Sequence, residues 1–153
     1  MSVLDHRIPP PLVGGLVAAA MWTASGLGPA LLLPALPRLW LLAVLVVTGL
    51  AFDLLGLLAF RRSRTTVNPL RPERTTAMVT DGVYGVTRNP MYLGMLILLV
   101  AWAVHLSALP TFLGPVLFAL YITRFQIAPE ERVLARTFGP AYDAYAARVR
   151  RWL

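Results

Sequence analysis

The chain has 153 residues, of which 58% are hydrophobic and only 14% charged, with a mean hydropathy of +0.67. A water-facing domain carries roughly 25% charged residues, so the composition excludes an ordinary soluble domain and makes lipid the solvent for much of the surface. All fourteen basic residues are Arg, against seven acids and a net charge of +7, but they sit in blocks flanking apolar runs, which argues against nucleic acid as a partner.

Four apolar stretches follow in order. The first runs from about Leu12 to Leu33 and the second from about Leu39 to Phe60. Each can cross a hydrocarbon core of ~30 Å at ~1.5 Å per residue. A cleaved signal peptide is the rival reading of the first. Its apolar run exceeds the ~7–15 residues of a signal core and leads into more hydrophobic sequence, so a retained helix is expected. Asp53 lies deep in the second stretch. A charge there is costly, and the residue is expected to face the bundle interior, paired with Thr48 or Thr23 or protonated, with a substrate role left open.

The third stretch, about Met91 to Leu109, and the fourth, about Thr111 to Ile127, are separated only by Ser107-Ala108-Leu109-Pro110. They predict a tight helical hairpin. His105 falls near the far end of the third, where solvation at the interface accounts for it. With His6 it is one of two imidazoles, and cysteine is absent, so no metal centre is expected.

The Arg blocks orient the chain. Segment 61–90 holds Arg61, Arg62, Arg64, Arg71, Arg74 and Arg88, and six more follow from Arg124 to Arg151. The turn near Pro34–Pro37 has only Arg38, and the turn near Pro110 has none. The positive-inside tendency puts the N-terminus, segment 61–90 and the tail in the cytoplasm. In the tail, Phe138, Tyr142, Tyr145, Val149 and Trp152 form a stripe at helical spacing, predicting an amphipathic helix that caps the bundle or lies on the membrane surface. Gly139-Pro140 marks a break before it.

The expected fold is therefore an all-α integral membrane protein. It has about four transmembrane helices, the last two a short hairpin, plus cytoplasmic C-terminal amphipathic helices. Residues 1–153 form one membrane domain: two helices in 1–60, a cytoplasmic loop at 61–90, the hairpin at 91–127 and the C-terminal helices at 128–153.

Two segments carry candidate chemistry. In the first, Asp81 to Gly94, Asn89 is a good N-cap and Pro90 a good first helical residue. The exposed amides of that helix start, with Arg88 beside them, form an anion-binding arrangement. Tyr84 and Tyr92 add hydroxyls and flat faces. An ordinary interfacial helix start, with Tyr and Arg at headgroup depth, accounts for the same residues. In the second, Pro129-Glu130-Glu131, the carboxylates either sit in a helix's first turn where its dipole favours them or face a cationic ligand.

Together the segments read Gly82-x-Tyr84-x-x-x-Arg88-Asn89-Pro90-x-Tyr92-x-Gly94, then Glu130-Glu131-x-x-Leu134-x-x-x-Phe138-Gly139-x-x-Tyr142-x-x-Tyr145 and Val149-x-Arg151. Over about residues 75–152 the chain resembles the isoprenylcysteine carboxyl methyltransferase and phospholipid methyltransferase group of integral membrane enzymes. The resemblance implies transfer of a methyl group from S-adenosylmethionine to a lipid-like or other hydrophobic acceptor. It implies cofactor contacts from Thr76, Ala77, Met78 and Val79, from Tyr84, from Asn89, Pro90, Met91 and Tyr92, and from Glu130, and by its charge Arg88 suits the anionic end of the same cofactor. Where eukaryotic members often carry His, this chain has Asn89, which cannot titrate near neutrality. The substrate-associated Arg of the prenylcysteine enzymes matches Gln126, with Arg124 nearby, so the acceptor is left open. Glu131 is the candidate base for an amine or thiol acceptor, and Arg124 the candidate substrate contact. The implied setting is a multi-pass protein of a prokaryotic inner (plasma) membrane, with its site on the cytoplasmic face. The rivals are an NADPH-dependent enzyme of the sterol-reductase type and a non-catalytic membrane scaffold or transporter subunit.

Overall fold

A computed structural model describes residues 8–62 and 78–153 and is helical in all its regular elements. Helix α1, Pro10–Ala24, opens with proline at a position whose missing N–H costs nothing. It stops well short of Leu33. Gly26, Gly28 and Pro29 follow it, and the apolar residues beyond run extended as a strut. Leu31 N–H donates to the Ser107 carbonyl at 2.6 Å and Leu109 N–H to that of Pro29 at 3.1 Å, with a single antiparallel bridge between Ala30 and Ala108.

Helix α2, Ala35–Arg62, has 28 residues, about 42 Å at the helical rise. It ends in Arg61 and Arg62, cations that suit the negative end of a helix dipole. Most of its apolar surface is exposed, as a lipid-facing helix requires.

Helix α3, Pro90–Leu106, packs along α2 on a seam of small residues. A Cβ on Gly94 would meet the Asp53 carboxylate and lie 2.7 Å from the Gly49 carbonyl oxygen, and one on Gly49 would lie 2.8 Å from Leu98 Cγ. Without side chains the backbones close up, as in membrane helix pairs. Asp53 pairs with neither expected threonine. Its Oδ1 is buried without a hydrogen-bond partner. Thr23 turns its hydroxyl back to the Ala20 carbonyl, and Thr48 lines a groove on another side of α2.

Ser107 ends α3 with φ 52° and ψ 38°. Its Oγ accepts from Arg38 Nη1 at 2.9 Å, tying the start of α2 to the end of α3. His105 is exposed and stacks on Trp102 with ring centroids 5.2 Å apart.

After a 3-10 turn, Leu109–Phe112, helix α4 runs from Leu113 to Ile122. The expected helix boundary at Pro129 is not there. A π-turn, Thr123–Ile127, leads without a break into α5, Ala128–Phe138. Pro129 has no N–H for the carbonyl of residue 125 and its ring crowds that position, so the helix widens by one residue instead of stopping. The helical unit Leu109–Phe138 is 30 residues long. Its apolar part ends at Ile127, and α5 carries Glu130, Glu131, Arg132 and Arg136. This unit and α2 are each long and apolar enough to cross a membrane, while α1 and α3 are shorter apolar helices.

Gly139 reverses the chain at φ 52°, a region that favours glycine, and α6 follows over Pro140–Arg148. One core joins α1, α3, α4 and the π-turn around Val13, Met21, Leu99, Ala103, Phe118 and Ile122. A second joins Tyr142, Tyr145 and Val149 to Met78, Leu134 and Phe138. The stripe read from the sequence does not lie on one helix: Tyr142 and Tyr145 form the inner face of α6, Phe138 belongs to α5, and Val149 and Trp152 follow the helix end, where the backbone turns extended. The last member of the stripe, Trp152, reaches the first core and donates to Thr123 Oγ1 at 3.3 Å.

Candidate active site

The polar end of the bundle collects side chains from four places: the 3-10 turn Gly82–Gly85, the start of α3, the start of α5, and the segment after α6. Tyr84 is buried in the turn. Its ring meets Phe60 of α2 edge-on at 5.4 Å, and its carbonyl accepts from Tyr145 Oη at 2.8 Å. Burial, then Tyr145 and the Glu130 carboxylate, hold its phenol well above the usual range, so it remains a neutral donor. Burial likewise pushes Tyr145 up to about 12.

The centre of the site is Tyr92 Oη donating to Glu130 Oε1 at 2.6 Å, a short bond between two buried side chains. Tyr92 comes from the first turn of α3 and Glu130 from the first turn of α5. Burial dominates the Glu130 carboxyl and the neighbouring Glu131 adds to it. The Tyr92 hydrogen bond works the other way, and the net is a value pushed up to about 8. The group holds its proton at neutral pH and gives it up only slightly above.

Glu131 is bound differently. Arg151 grips it as a fork, Nε to Oε1 at 3.0 Å and Nη2 to Oε2 at 2.6 Å, and Arg88 Nη2 lies 3.2 Å from Oε1. The bond to Glu131 also holds the Arg151 guanidinium above its ordinary value. Arg88 Nη1 donates to Tyr142 Oη at 3.1 Å. Arg88 Nε is buried with no hydrogen-bond partner among the described residues. One cationic donor therefore remains unspent on the guanidinium that contacts Glu131 and Tyr142.

Asn89 does occupy the N-cap position of α3, but its side chain makes no capping bond. Its Nδ2 donates instead to the Arg151 carbonyl at 2.9 Å, and Thr87 Oγ1 accepts from the Asn89 N–H at 3.2 Å. Because the helix is continuous through Pro129, Glu130 and Glu131 do not sit at a free helix start. Their partners hold them instead of a dipole.

Of the residues expected at the site, Tyr84, Arg88, Asn89, Pro90, Tyr92, Glu130 and Glu131 converge. Met91 turns its side chain toward Gly56 of α2, and Met78 packs on the Tyr142–Tyr145 cluster. Val79 is half-buried next to it in sequence. Thr76 and Ala77 lie outside the described residues. Arg124 is exposed, with its guanidinium carbon 5.3 Å from the Phe125 ring centre. Gln126 is fully buried, its Nε2 donating to the Ile8 carbonyl at 2.7 Å. The expectations missed the roles of Thr87, Tyr142 and Arg151. The spacing Val149-x-Arg151 was visible, but nothing in it says that the segment turns back to Glu131.

The chain is similar in sequence to known proteins over most of its length. The phospholipid methyltransferase family model matches residues 37–141. A probable protein-S-isoprenylcysteine O-methyltransferase of Oryza sativa subsp. indica is 35% identical over 128 residues, 78% of this chain and 65% of the relative. Protein-S-isoprenylcysteine O-methyltransferase B of Arabidopsis thaliana is 31% identical over 76% of this chain and 61% of its own length. An uncharacterized protein of Haemophilus influenzae is 46% identical over 63 residues, its whole length and 41% of this chain. The chain thus spans under two thirds of the two plant relatives. No solved structure matches it significantly. With its paired motifs, its helical membrane architecture and a family match across most of its length, the chain belongs to the phospholipid methyltransferase family.

Proposed function

We propose that this protein is an integral membrane methyltransferase that uses S-adenosylmethionine at the polar, cytoplasmic end of its helices and modifies a lipid-like acceptor. The observation that carries this reading is the convergence, at one end of the bundle, of the buried Tyr92–Glu130 pair and of Arg88, held on Glu131 with its Nε unspent among the described residues. These residues fit the cofactor. Arg88 Nε matches its carboxylate, and Glu130, once ionised, matches its ammonium or ribose hydroxyls. The cofactor supplies a methyl group activated by a sulfonium.

The protein's part is to orient the reactants and exclude water. Tyr92 fixes the Glu130 carboxyl, and Glu131 with Tyr142 fixes the Arg88 guanidinium. Holding both reactants in line removes much of the entropic barrier, and a water-poor site suits a reaction that disperses charge. Glu131, with both oxygens engaged by Arg88 and Arg151, serves as an anchor in this arrangement and not as a base. Helix α2 and the unit Leu109–Phe138 cross the bilayer, with α1 and α3 packed against them and Arg61 and Arg62 on the cytoplasmic side, so an apolar acceptor reaches the site from the lipid. The names of the plant relatives favour an acceptor bearing a prenyl-like chain.

Calorimetry of the detergent-purified protein tests the reading. S-adenosylhomocysteine is expected to bind and NADPH not to, and Glu130→Ala is expected to weaken binding by about tenfold or more, the loss of one charge-assisted hydrogen bond. Binding of NADPH alone, or an undiminished affinity in Glu130→Ala, contradicts it.

A further inference from the structure

Arg151 holds two parts of the site at once. Its side chain forks onto Glu131 of α5, while its carbonyl accepts from Thr87 Oγ1 at 3.2 Å and Asn89 Nδ2 at 2.9 Å. The Arg88 N–H donates to the adjoining Arg150 carbonyl at 3.0 Å. The segment after α6 is thereby laid across the residues that begin α3. Side-chain exposure grades outward, from 15% for Arg88 and 18% for Glu131 to 40% for Arg151. Arg151 thus meets solvent far more than Arg88 does.

The geometry also sets up a competition. A carboxylate and a guanidinium facing each other prefer two parallel hydrogen bonds. Glu131 makes that fork with Arg151 and only a single contact with Arg88, through Nη2. Were Arg151 absent, Glu131 would be free to fork onto Arg88 through Nη2 and Nε, consuming the buried Nε donor that has no partner among the described residues.

We propose that Arg151 is a positioning residue for cofactor binding: by occupying Glu131 it keeps Arg88 Nε open for the carboxylate of S-adenosylmethionine. This rests on the methyltransferase reading above. It concerns only the amino-acid end of the cofactor, so ligands with and without that end separate it from a general loss of structure.

The test is calorimetry with S-adenosylhomocysteine and with 5′-methylthioadenosine, which lacks the carboxylate, on wild type, Arg151→Gln and Arg151→Lys. Arg151→Gln is expected to lose about ten- to a hundredfold in affinity for S-adenosylhomocysteine, the worth of one charged hydrogen bond, while 5′-methylthioadenosine binds as before. Arg151→Lys, which keeps the charge without the fork, is expected to recover part of the loss. The Arg88 Nε–H resonance is expected to shift on adding S-adenosylhomocysteine to wild type, and in Arg151→Gln to be displaced before any ligand is present. Equal loss of both ligands overturns the proposal by making Arg151 merely structural, and no loss of either overturns it directly. A wild-type protein that binds neither removes the methyltransferase reading and this inference with it.

Discussion

Two adjacent glutamates of the same helix turn have opposite fates, decided by their partners. Glu131 meets two guanidiniums, whereas Glu130 meets a phenol and apolar surroundings, and its carboxyl is pushed up to about 8. A ligand that needs the ionised form must displace that proton. The sign follows: below about pH 8 affinity for S-adenosylhomocysteine rises with pH, at most about tenfold per unit, and above it levels off. Glu130→Gln is expected to bind more weakly and to lose this slope. In Tyr92→Phe the hydrogen bond that lowers the Glu130 value is gone, so the midpoint is expected to move above about 8. Titration of affinity against pH in the three proteins checks all of this, and affinity that falls between pH 6 and 8 in wild type would contradict it.

At the scale of elements, the α2–α3 seam depends on glycine at positions where backbones meet. Gly94→Ala pushes a methyl group into the Asp53 carboxylate and the Gly49 carbonyl, an overpacking expected to cost about 1–3 kcal/mol. A methyl group on Gly15 of α1 would have nothing within 4 Å of it, so Gly15→Ala is expected to be neutral or to gain about 0.5–1 kcal/mol from reduced backbone freedom. Thermal unfolding in one detergent compares the two, and equal effects would refute the packing argument. Much of this layer was legible in the sequence. Asn89-Pro90 announced the start of α3, Gly139-Pro140 the break before α6, and the tyrosine stripe its inner face. Other features were hidden because distant partners decide them. The Asn89 amide abandons its own helix start for the Arg151 carbonyl. Pro129, a helix breaker by local rules, is absorbed by a π-turn. The end of α1 was misplaced for a different reason, since Gly26, Gly28 and Pro29 outweigh the apolar character of the residues around them.

For the whole molecule, the placement of the site at one end of the helices ties chemistry to topology. Because the chain contains no cysteine, single introduced thiols report sidedness without background. Leu32, 90% exposed between α1 and α2, and Arg150, exposed after α6, mark the two ends. In sealed cells, Leu32→Cys is expected to react with a membrane-impermeant maleimide added outside, and Arg150→Cys only after permeabilisation. The reverse pattern would invert the topology and put the site on the wrong side for a cytoplasmic cofactor. The central claim, methyl transfer to a hydrophobic acceptor, is met most directly by incubating the purified protein with methyl-labelled S-adenosylmethionine and a mixture of phospholipid and a prenylated cysteine. The account predicts that label enters the organic phase with wild type and falls at least about tenfold with Glu130→Ala; label that stays in water with wild type, or that moves equally well with Glu130→Ala, would contradict it.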